Sequence, residues 1–358
     1  MFDVCGFSYN ELFNLAISKP AMAQIKLTEK CEQNCIFCMA SCESIKKSRI
    51  DMPAENWFKV LLKLKRLGIK KLNFTGGEVF LYNELADVFD FAKGHGFMVS
   101  PSSDGLTSIA EFKRYIDEIS FSVHGIGEIH DNVVGCKGSF ERVEQHIQEA
   151  VDLGIKASLN TVLVKKNYDY LEDIYNYFKD SGVAFHSFPI AINSVSGVDC
   201  NAEILDLDKK LFLNYLTKLR KMSLERLSCK HGLGVIMQDS PEHYQKAKVP
   251  LPDCAGGKYK LVIESDGSVY PCEFFRTQDY YCGNILHDDE IQIWCKGGGF
   301  QPFRKLVLEE RIPDKCHTCI KKYKCFSGCR AWIQNYRQGG FYNEADLRCE
   351  LGNAYVGN

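Results

Sequence analysis

The sequence predicts an α/β fold, a partial (β/α)6 barrel of the TIM type, followed by a C-terminal cysteine-rich domain. Short apolar segments alternate with amphipathic segments from about Met22 to Pro189, and there are six such units. Alternation of this kind builds a parallel sheet with right-handed crossovers. Six units are too few for a closed eight-stranded barrel. After about Pro252 the helical periodicity fades, and Cys, Gly and aromatic residues dominate, which indicates a second domain.

Each predicted element rests on the spacing of its apolar residues. The strands are predicted at Ala23–Leu27, Lys71–Thr75, Met98–Ser100, Glu118–Val123, Ala157–Leu163 and Val183–Phe188. The helices are predicted at Pro53–Leu67, Glu84–Lys93, Ile109–Tyr115, Phe140–Leu153 and Tyr168–Lys179. Ser139 is placed to cap the fourth helix, and Gly154 follows its end. In such a sheet we expect the ligand site at the carboxyl ends of the strands.

Three regions are expected along the chain. They are a barrel domain at residues 1–205, a helical linker region at residues 206–251 and a cysteine-rich domain at residues 252–358. The linker region contains a strongly helical stretch, Leu207–Leu227. In the third region, Ser265–Tyr270 predicts a hairpin turn that brings Cys254 towards Cys272.

The composition excludes several classes of partner. The net charge is −2 over 358 residues, so there is no electrostatic reason to expect nucleic acid or an anionic membrane surface. The N-terminal residues lack the basic start of an export signal, and no apolar run is long enough to span a bilayer. We therefore expect a cytoplasmic protein. Because thiols stay reduced there, 17 cysteines indicate metal or redox chemistry rather than disulfides.

The first cysteine cluster, Cys31-x3-Cys35-x2-Cys38, directly follows the first predicted strand. Three thiolates this close can hold three corners of a cubic iron–sulfur cluster and leave one iron without a protein ligand. An open coordination position is typical of a catalytic metal site. Two alternatives use Cys42, either as a fourth ligand that closes the cluster or as part of a tetrahedral zinc site.

The second array contains seven cysteines in the C-terminal region. They are Cys254, Cys272, Cys316, Cys319, Cys325, Cys329 and Cys349. Seven thiolates can form one four-cysteine site and one three-cysteine site. A zinc ribbon also uses pairs of cysteines spaced by two, so zinc is the alternative for Cys316–Cys329. However, seven cysteines do not divide into closed four-ligand zinc sites.

The first cluster resembles that of the radical S-adenosylmethionine superfamily, and the seven-cysteine array resembles the SPASM extension of one of its subgroups. The resemblance implies three [4Fe-4S] clusters and S-adenosyl-L-methionine (AdoMet) as cofactors. In the family, AdoMet chelates the open iron through its amino and carboxylate groups. An electron from the cluster then cleaves it to a 5′-deoxyadenosyl radical, which abstracts a hydrogen atom from the substrate.

The resemblance also implies which cysteines belong together. Cys254, Cys272 and Cys329 would hold the nearer auxiliary cluster, and Cys316, Cys319, Cys325 and Cys349 the farther one. No cysteine follows shortly after Cys254, where some members supply a fourth ligand. The nearer cluster would therefore have an open iron or take Cys282 as its fourth ligand.

The segments after the barrel strands resemble the AdoMet-binding segments of the family. The turn of Gly76, Gly77 and Glu78 would contact the amino group of AdoMet, and Ser103 and Asp104 would contact its ribose. Ser122 would contact the cofactor after the fourth strand, and the strand that contains Asn160 and Leu163 would hold the adenine. Glycine permits close backbone approach to the cofactor, and Glu78 can accept from an ammonium. Two departures are Val79, where proline is common, and Val134, where an arginine often precedes the glycine. The partner of the cofactor carboxylate is therefore open, with Arg142 as a substitute.

Several further residues are candidates for catalysis. Glu273 directly follows Cys272, where sulfatase-maturing members have an aspartate that acts as a base. A salt-bridge partner is the alternative role for Glu273. His124, at the end of the fourth strand, would either contact substrate or be structural. Cys200 and Cys229 are candidate hydrogen-atom donors.

Enzymes of this subgroup most often modify ribosomally made peptides or proteins by crosslinking, epimerisation or oxidation, and we expect such a substrate. Only about 22 residues precede the first predicted strand, too few for a peptide-binding domain, so a separate peptide-recognition protein would be needed. A reductant protein such as flavodoxin or ferredoxin is a second expected partner. The alternatives are oxidation or epimerisation of an aminocyclitol or sugar, and a non-catalytic iron–sulfur electron-transfer protein. The Gly76-Gly77-Glu78 turn argues against the last, because an electron carrier needs no loop that binds an amino acid.

Overall fold

The computed structural model describes most of the two regions that carry the cysteine patterns. The described residues are 20–38, 50–192, 211, 214, 215, 217, 218, 222, 232, 233, 254–309, 311–317, 327–337 and 341–344. The described residues of the predicted helix Leu207–Leu227 are all helical. Cys5, Cys42, Cys200, Cys229, Cys319, Cys325 and Cys349 lie outside the described residues.

One sheet of ten strands organises the described part of the chain. The strands are β1 (Met22–Lys26), β2 (Lys71–Thr75), β3 (Met98–Ser103), β4 (Glu118–Ser122), β5 (Lys156–Asn160), β6 (Phe185–Ser187), β7 (Gly232–Leu233), β8 (Lys260–Ile263), β9 (Ser268–Tyr270) and β10 (Gly283–Asn284). Their order is β10-β9-β8-β1-β2-β3-β4-β5-β6-β7. Strands β1 to β6 are adjacent and parallel, which confirms the six predicted barrel strands.

Nine α-helices lie among the described residues. They are α1 (Ala54–Arg66), α2 (Leu85–Gly94), α3 (Glu128–Val134), α4 (Ser139–Asp152), α5 (Leu171–Phe178), α6 (Glu290–Lys296), α7 (Gln301–Leu308), α8 (Asp314–His317) and α9 (Arg330–Arg337). The apolar faces of α1, α2, α4 and α5 are buried in the core that the sheet forms. Each of these four helices matches a predicted one. No helix among the described residues is long and apolar enough to cross a membrane.

The predicted helix Ile109–Tyr115 is wrong, because the segment forms only a single 3-10 turn at Ala110–Phe112. Glu149 of α4 accepts hydrogen bonds from Ser108 Oγ and from the Ile109 backbone N–H, both at 2.8 Å. Ile109 and Tyr115 are both buried, at either end of the turn. A single turn is therefore enough to bury both apolar residues before β4 begins.

The predicted cap at Ser139 is also wrong. Gly138, with a φ of 72°, precedes the helix, and Ser139 is its first residue. The cap comes from Asp131 of α3, a helix that the sequence did not predict. Its carboxylate accepts from the backbone N–H groups of Gly138 (2.6 Å) and Phe140 (2.9 Å). The Ser139 hydroxyl is thereby free for contacts elsewhere, described below.

The C-terminal segment extends the barrel sheet instead of forming a separate one. Strand β8 pairs in parallel with β1, with Met22 opposite Lys260 and Ile25 opposite Ile263. Strands β8 and β9 form the predicted hairpin, whose turn has Gly267 at a φ of 83°. Ile263, Trp294 and Phe303 belong to the same hydrophobic core as the barrel residues. Barrel and C-terminal segment are thus packed around one continuous core.

Helix α1 also contacts the C-terminal segment, through two basic side chains. The Lys63 ammonium donates to the carbonyl oxygens of Ile285 and Asp288, both at 2.7 Å. Arg66 forms an ion pair with the buried Glu290 of α6, with Nε and Oε1 2.6 Å apart. These contacts join the first barrel helix to the segment after β10.

Replacing Lys63 by Met tests this contact. The side-chain stem is kept, but two carbonyl oxygens lose a charged donor, so the free energy of unfolding should fall by about 1 kcal/mol. The measurement is denaturant unfolding. The matched control is Lys59→Met on the same helix, because Lys59 is exposed and its hydrogen bond is to Asn56, one turn away on that helix. Equal effects of the two substitutions would contradict the assigned role.

Candidate active site

The segment Cys31–Cys38, here called the cysteine loop, is held by backbone hydrogen bonds on two sides. On one side, the N–H groups of Gly77 and Glu78 donate to the carbonyl oxygens of Thr28 (2.8 Å) and Lys30 (2.6 Å), just before the loop. On the other side, Asn34 and Ile36 donate to Val134 (2.9 Å) and Val133 (3.0 Å) of α3. The loop is therefore fixed between the turn after β2 and the end of α3.

Gly76 and Gly77 permit this arrangement. A Cβ atom at Gly77 would lie 2.1 Å from the Lys30 carbonyl oxygen and 2.9 Å from the Cys31 Cβ. A Cβ atom at Gly76 would lie 2.7 Å from the Thr28 carbonyl oxygen. We expected these glycines to permit close approach of a cofactor. The approach that the structure shows is to the chain that leads into the cysteine loop.

The three thiols of the loop lie close enough to act on one another electrostatically. Burial, followed by the neighbouring Cys38 and Cys31, raises the pKa of Cys35. No three His, Cys, Asp or Glu side chains in the described ranges are arranged around one metal ion. A cubic cluster binds each thiolate at a different iron, so its ligands need not meet at one point. Three thiols of one loop could each bind one corner of such a cluster, and the cluster as well as the alternatives that involve Cys42 stay predictions.

Glu78 connects the glycine turn to the end of β3. The side chain is buried, and its oxygens accept from the N–H of Phe80 (3.0 Å), the Ser103 hydroxyl (3.1 Å) and the N–H of Asp104 (2.6 Å). Burial and the Asp104 carboxylate beside it raise the pKa of Glu78 well above its ordinary value. Three protein donors thus already engage this carboxyl group, and its predicted contact with the cofactor ammonium stays a prediction.

The Asp104 carboxyl group interacts with the Glu78 carboxyl group, and one of its oxygens receives no N–H or hydroxyl donor from the described residues. Its Oδ1 accepts from the Leu106 N–H at 2.9 Å, whereas Oδ2 is buried and has no hydrogen-bond partner among the described residues. The Asp104 charge also contributes to raising the pKa of Cys35, so the carboxylate lies near the cysteine loop. A buried acceptor without a donor fits a ligand hydroxyl. The ribose of AdoMet carries two hydroxyl groups, and this site therefore fits the implied cofactor.

The remaining predicted cofactor residues lie at the carboxyl ends of neighbouring strands. Ser122 ends β4 and is paired with Asn160, the last residue of β5. Asn160 accepts from the Ser187 hydroxyl at 2.6 Å. Leu163 follows in the chain and bridges to Ile190 in parallel. The structure thus brings these residues to the edge of the sheet where the cysteine loop lies, and their contacts with a cofactor stay predictions.

His124 has a structural environment. The side chain is buried, its Nδ1 accepts from the Val162 N–H at 3.1 Å, and its own backbone N–H donates to His130 Nδ1 at 3.0 Å. Burial holds the pKa of His124 well below its ordinary value, so the ring is neutral. These contacts favour the structural role over the substrate contact.

A cavity of about 460 Å³ lies between the cysteine loop and the C-terminal hairpin. Its wall includes Cys38, the cavity-facing ends of several barrel strands and the segments that flank β8 and β9. The polar residues that matter for chemistry are Lys26, Asn160, Glu264, Glu273 and Arg276. The cavity therefore contacts both the first cysteine cluster and the region of the second.

Lys26, Glu264 and Arg276 form a charged group on this wall that the sequence analysis missed. Lys26 Nζ lies 2.8 Å from Glu29 and 3.5 Å from Glu264. Arg276 contacts Glu264 through Nη1 at 3.2 and 3.3 Å, while its Nε is buried and has no acceptor among the described residues. The signal available in the sequence was a lysine at the end of the first strand, because Glu264 and Arg276 join it through the β1–β8 pairing.

Glu273, the predicted base, is the anionic half of an ion pair. Its Oε2 lies 2.9 Å from Lys260 Nζ and 3.4 Å from Cys272 Sγ. Burial alone would raise the pKa of Glu273, but the Lys260 ammonium outweighs it and lowers the pKa to about 2. Such a carboxylate is a weak proton acceptor at neutral pH. The salt-bridge role is the one that this arrangement shows.

The described C-terminal cysteines fall into two packing environments. Cys254, Cys272 and Cys329 pack against the main core, whereas Cys316 belongs to a separate small cluster with Leu306 and Ile312. Cys254 also contributes to raising the pKa of Cys272, so the hairpin brings these two together as expected. This division agrees with the implied nearer and farther clusters, although the pairing itself stays a prediction.

Cys282 has a different environment from the cysteines of the nearer group. Its Sγ lies 3.5 Å from the Tyr280 carbonyl oxygen. Burial raises the pKa of Cys282 to about 12, opposed by Arg304 and by the backbone N–H groups of Phe300 and Gly299. Its role as a fourth cluster ligand stays a prediction.

Gly77→Ala should disrupt the first cluster. The added Cβ meets backbone atoms of Lys30, which cannot rotate away, so the cysteine loop must move. With the three clusters that the resemblance implies, iron in the reconstituted protein should fall by roughly a third, the share of one cluster. The control is Gly94→Ala, where nothing lies within 4 Å of the new Cβ. Full iron loading of Gly77→Ala would contradict the steric argument.

Asp104→Asn should stabilise the metal-free protein at neutral pH. The raised pKa values of Glu78 and Asp104 mean that the folded state holds protons more tightly than the unfolded state. The free energy of unfolding therefore falls as pH rises above about 4. Removing the Asp104 charge should raise that free energy at pH 7 by on the order of 1 kcal/mol and flatten its pH dependence.

Denaturant unfolding at pH 5 and pH 8 checks this expectation. The control is Asp90→Asn, at an exposed position of α2. A steeper loss of stability with pH in Asp104→Asn than in the unaltered protein would show that the two carboxyl groups do not repel each other.

Comparison with known sequences bears on both cysteine regions. Residues 25–178 match the family model of the radical SAM superfamily, and residues 254–320 match the SPASM model, an iron–sulfur cluster-binding domain. An AdoMet-dependent heme synthase of Methanosarcina barkeri is 25% identical over 348 residues, which cover 92% of this chain and 96% of that protein. A second AdoMet-dependent heme synthase, of Oleidesulfovibrio alaskensis, is 25% identical over 279 residues, which cover 72% and 69%.

Two solved structures share the fold. SuiB of Streptococcus suis bound to S-adenosylmethionine superposes with a TM-score of 0.71 and 18% identity, covering 93% of this chain and 78% of SuiB. The enzyme anSMEcpe with bound AdoMet superposes with a TM-score of 0.75 and 19% identity, covering 94% and 92%. The predicted partial barrel with its cysteine-rich extension is thereby confirmed.

Proposed function

The chain belongs to the radical SAM superfamily and carries a C-terminal SPASM domain, and from this premise we propose that it reductively cleaves AdoMet and abstracts a hydrogen atom from a peptide or protein side chain. The match to this superfamily and the similarity to a protein named as a synthase support an enzyme. The substrate, the bond formed and the number of clusters are parts of the proposal.

The observation that carries the proposal is the hydrogen-bonded contact between the glycine turn and the cysteine loop. Through it, Gly77 and Glu78 fix the chain that leads to Cys31. Glu78 in turn fixes Asp104, whose Oδ2 receives no N–H or hydroxyl donor from the described residues. One connected unit would therefore supply the three thiols for a cluster, the turn for the amino group of AdoMet and an acceptor for its ribose hydroxyls.

In this proposal Cys31, Cys35 and Cys38 hold the first cluster, and the loop leaves one iron for AdoMet. When bound, the cluster and AdoMet supply an electron and a 5′-deoxyadenosyl group for hydrogen-atom abstraction. The residues of the chain orient the cofactor, and Cys38 places the cluster at the wall of the cavity. The opposite wall carries Glu273 and Arg276, so a substrate in the cavity lies between the two cysteine regions.

The charged side chains in the lining of the cavity favour a substrate group that is itself charged. Its volume of about 460 Å³ suits a side chain or a small molecule. Arg276 lines the cavity, and its contacts with Glu264 are longer than those of a tight charge-assisted pair. We propose that Arg276 binds an anionic or carbonyl group of the substrate. Glu273 can act as a base only after Lys260 has moved away.

A peptide substrate is supported by proteins of the same fold. SuiB has been solved with a precursor peptide, SuiA, and anSMEcpe with the peptide Cp18Cys. For this chain we propose a separate peptide-recognition protein and a flavodoxin or ferredoxin as reductant. Two auxiliary clusters on the C-terminal cysteines would bring the total to three.

Heme formation is a second candidate. It is favoured by the Methanosarcina barkeri heme synthase, which aligns over nearly the whole length of both chains. An arginine in the lining of the cavity suits an acidic small molecule as well as a peptide. Oxidation or epimerisation of a sugar or aminocyclitol is a third substrate hypothesis, without an observation of its own.

Cys35→Ala is the first test. The variant should lose AdoMet cleavage, because the first cluster loses one of its three ligands. The assay is anaerobic formation of 5′-deoxyadenosine with dithionite and AdoMet, together with an iron count, which should approach roughly twelve per unaltered chain for three cubic clusters. Cys295→Ala, at an exposed cysteine of α6, is the matched control and should cleave normally. Cleavage at the full rate by Cys35→Ala would disprove the first cluster.

The substrate test compares two named probes. A precursor peptide encoded next to the gene is scored by a mass change, and an iron-containing heme precursor by the absorbance of heme. Turnover of the peptide alone supports the first proposal, and formation of heme alone supports the second. Arg276→Gln should raise KM more than it lowers kcat for the true substrate, because the residue binds the substrate without taking part in the chemistry.

A further inference from the structure

A chain of polar groups connects the ligand Cys35 to the buried interior. Gln33 lies with Oε1 3.4 Å from Cys35 Sγ and with Nε2 2.9 Å from Ser139 Oγ. Ser139 Oγ lies 3.1 Å from His130 Nε2, and His130 Nδ1 accepts from the His124 backbone N–H at 3.0 Å. Ser139 and His130 are fully buried, so the inner half of the chain is closed to water.

The backbone N–H of His124 sets the direction of these hydrogen bonds. Because His130 Nδ1 is an acceptor, the neutral ring carries its proton on Nε2 and donates it to Ser139 Oγ. Burial lowers the pKa of His130 to about 4, so the ring is neutral at physiological pH. Ser139 Oγ thus accepts from His130 Nε2 and from Gln33 Nε2, and its own O–H could donate to Gln33 only if the amide oxygen faced it.

Binding of a cluster changes what Cys35 can do. A thiol can donate to Gln33 Oε1, but a metal-bound thiolate can only accept. The carbonyl of Gln33 would then face a second acceptor. A half-turn of the amide exchanges its oxygen and nitrogen, so that Nε2–H donates to Cys35 Sγ and Oε1 accepts from the Ser139 hydroxyl. Every donor from His124 to the cluster then faces an acceptor.

We propose that Gln33 is a positioning residue that donates a hydrogen bond to the Cys35 thiolate, held in that orientation by Ser139 and His130, and that this bond raises the reduction potential of the first cluster. The inference rests on the proposed function, since it requires a cluster on Cys35. The added electron places more negative charge on the cluster and its sulfur ligands, and a donor stabilises that charge. The chain thereby makes a strongly reducing cluster easier to load with an electron.

Potentiometric titration of the reconstituted protein, followed by EPR, tests the proposal. The signal of the first cluster is the one that changes when AdoMet is added. Gln33→Leu should lower the reduction potential of the first cluster by ~59 mV. For a one-electron couple, this is a tenfold change in the ratio of reduced to oxidised cluster. Gln148→Leu, at an exposed glutamine of α4, is the matched control and should leave the potential unchanged.

Ser139→Ala separates positioning from a merely structural role. It removes the partner that orients the amide, so a smaller shift in the same direction is expected. Because Ser139 acts through Gln33, the double variant should show the shift of Gln33→Leu alone. Additive shifts would overturn the connection between the two residues.

The remaining outcomes are distinct. An unchanged potential in Gln33→Leu with full iron content overturns this inference alone. If Gln33→Leu does not take up iron, an unchanged potential in Ser139→Ala overturns it instead. Absence of any AdoMet-sensitive signal in the unaltered protein overturns the proposed function as well.

Discussion

The backbone contact between the Gly76-Gly77-Glu78 turn and the chain entering the cysteine loop is the constraint on which the site depends. Two N–H groups of the turn donate to carbonyl oxygens just before Cys31, at distances that no side chain on Gly77 would permit. A cysteine loop by itself would have no fixed position, because its residues form no helix or strand. The glycine turn supplies that position, and Glu78 extends the constraint to Asp104 at the end of β3.

The second organising feature is the pairing of β8 with β1. It places the hairpin that precedes Cys272 next to the strand that precedes Cys31, in one sheet and on one core. The cavity arises between them and takes charged residues from both sides, with Lys26 from the barrel and Arg276 from the C-terminal segment. A substrate group in this cavity is consequently within reach of both cysteine regions.

The polar residues of the site differ in whether the protein itself supplies their partner. Glu273 has an ion-pair partner, because Lys260 lies beside it and holds its pKa low. Asp104 Oδ2 and Arg276 Nε are buried and have no hydrogen-bond partner among the described residues. An unpaired buried polar atom is costly unless a ligand or water satisfies it. The proposed contacts with cofactor and substrate involve the residues that carry these two atoms.

Features that depend on local spacing could be predicted from the amino-acid sequence. The six barrel strands follow from short apolar runs and the hairpin from Asp266 and Gly267, while the spacing of Cys31, Cys35 and Cys38 predicts the ligands of a cluster. The helix predicted at Ile109–Tyr115 failed because Glu149, distant in sequence, supplies the bonds that start a shorter turn.

Contacts between distant segments became known from the folded structure. Gln33 meets Ser139 across 106 residues, Asp131 takes over the cap predicted for Ser139, and Arg276 reaches the cavity through a strand pairing. The physical reason is that periodicity and propensity act over a few residues, whereas the partner of a charge or a hydrogen-bond donor depends on which segments the packed core brings together.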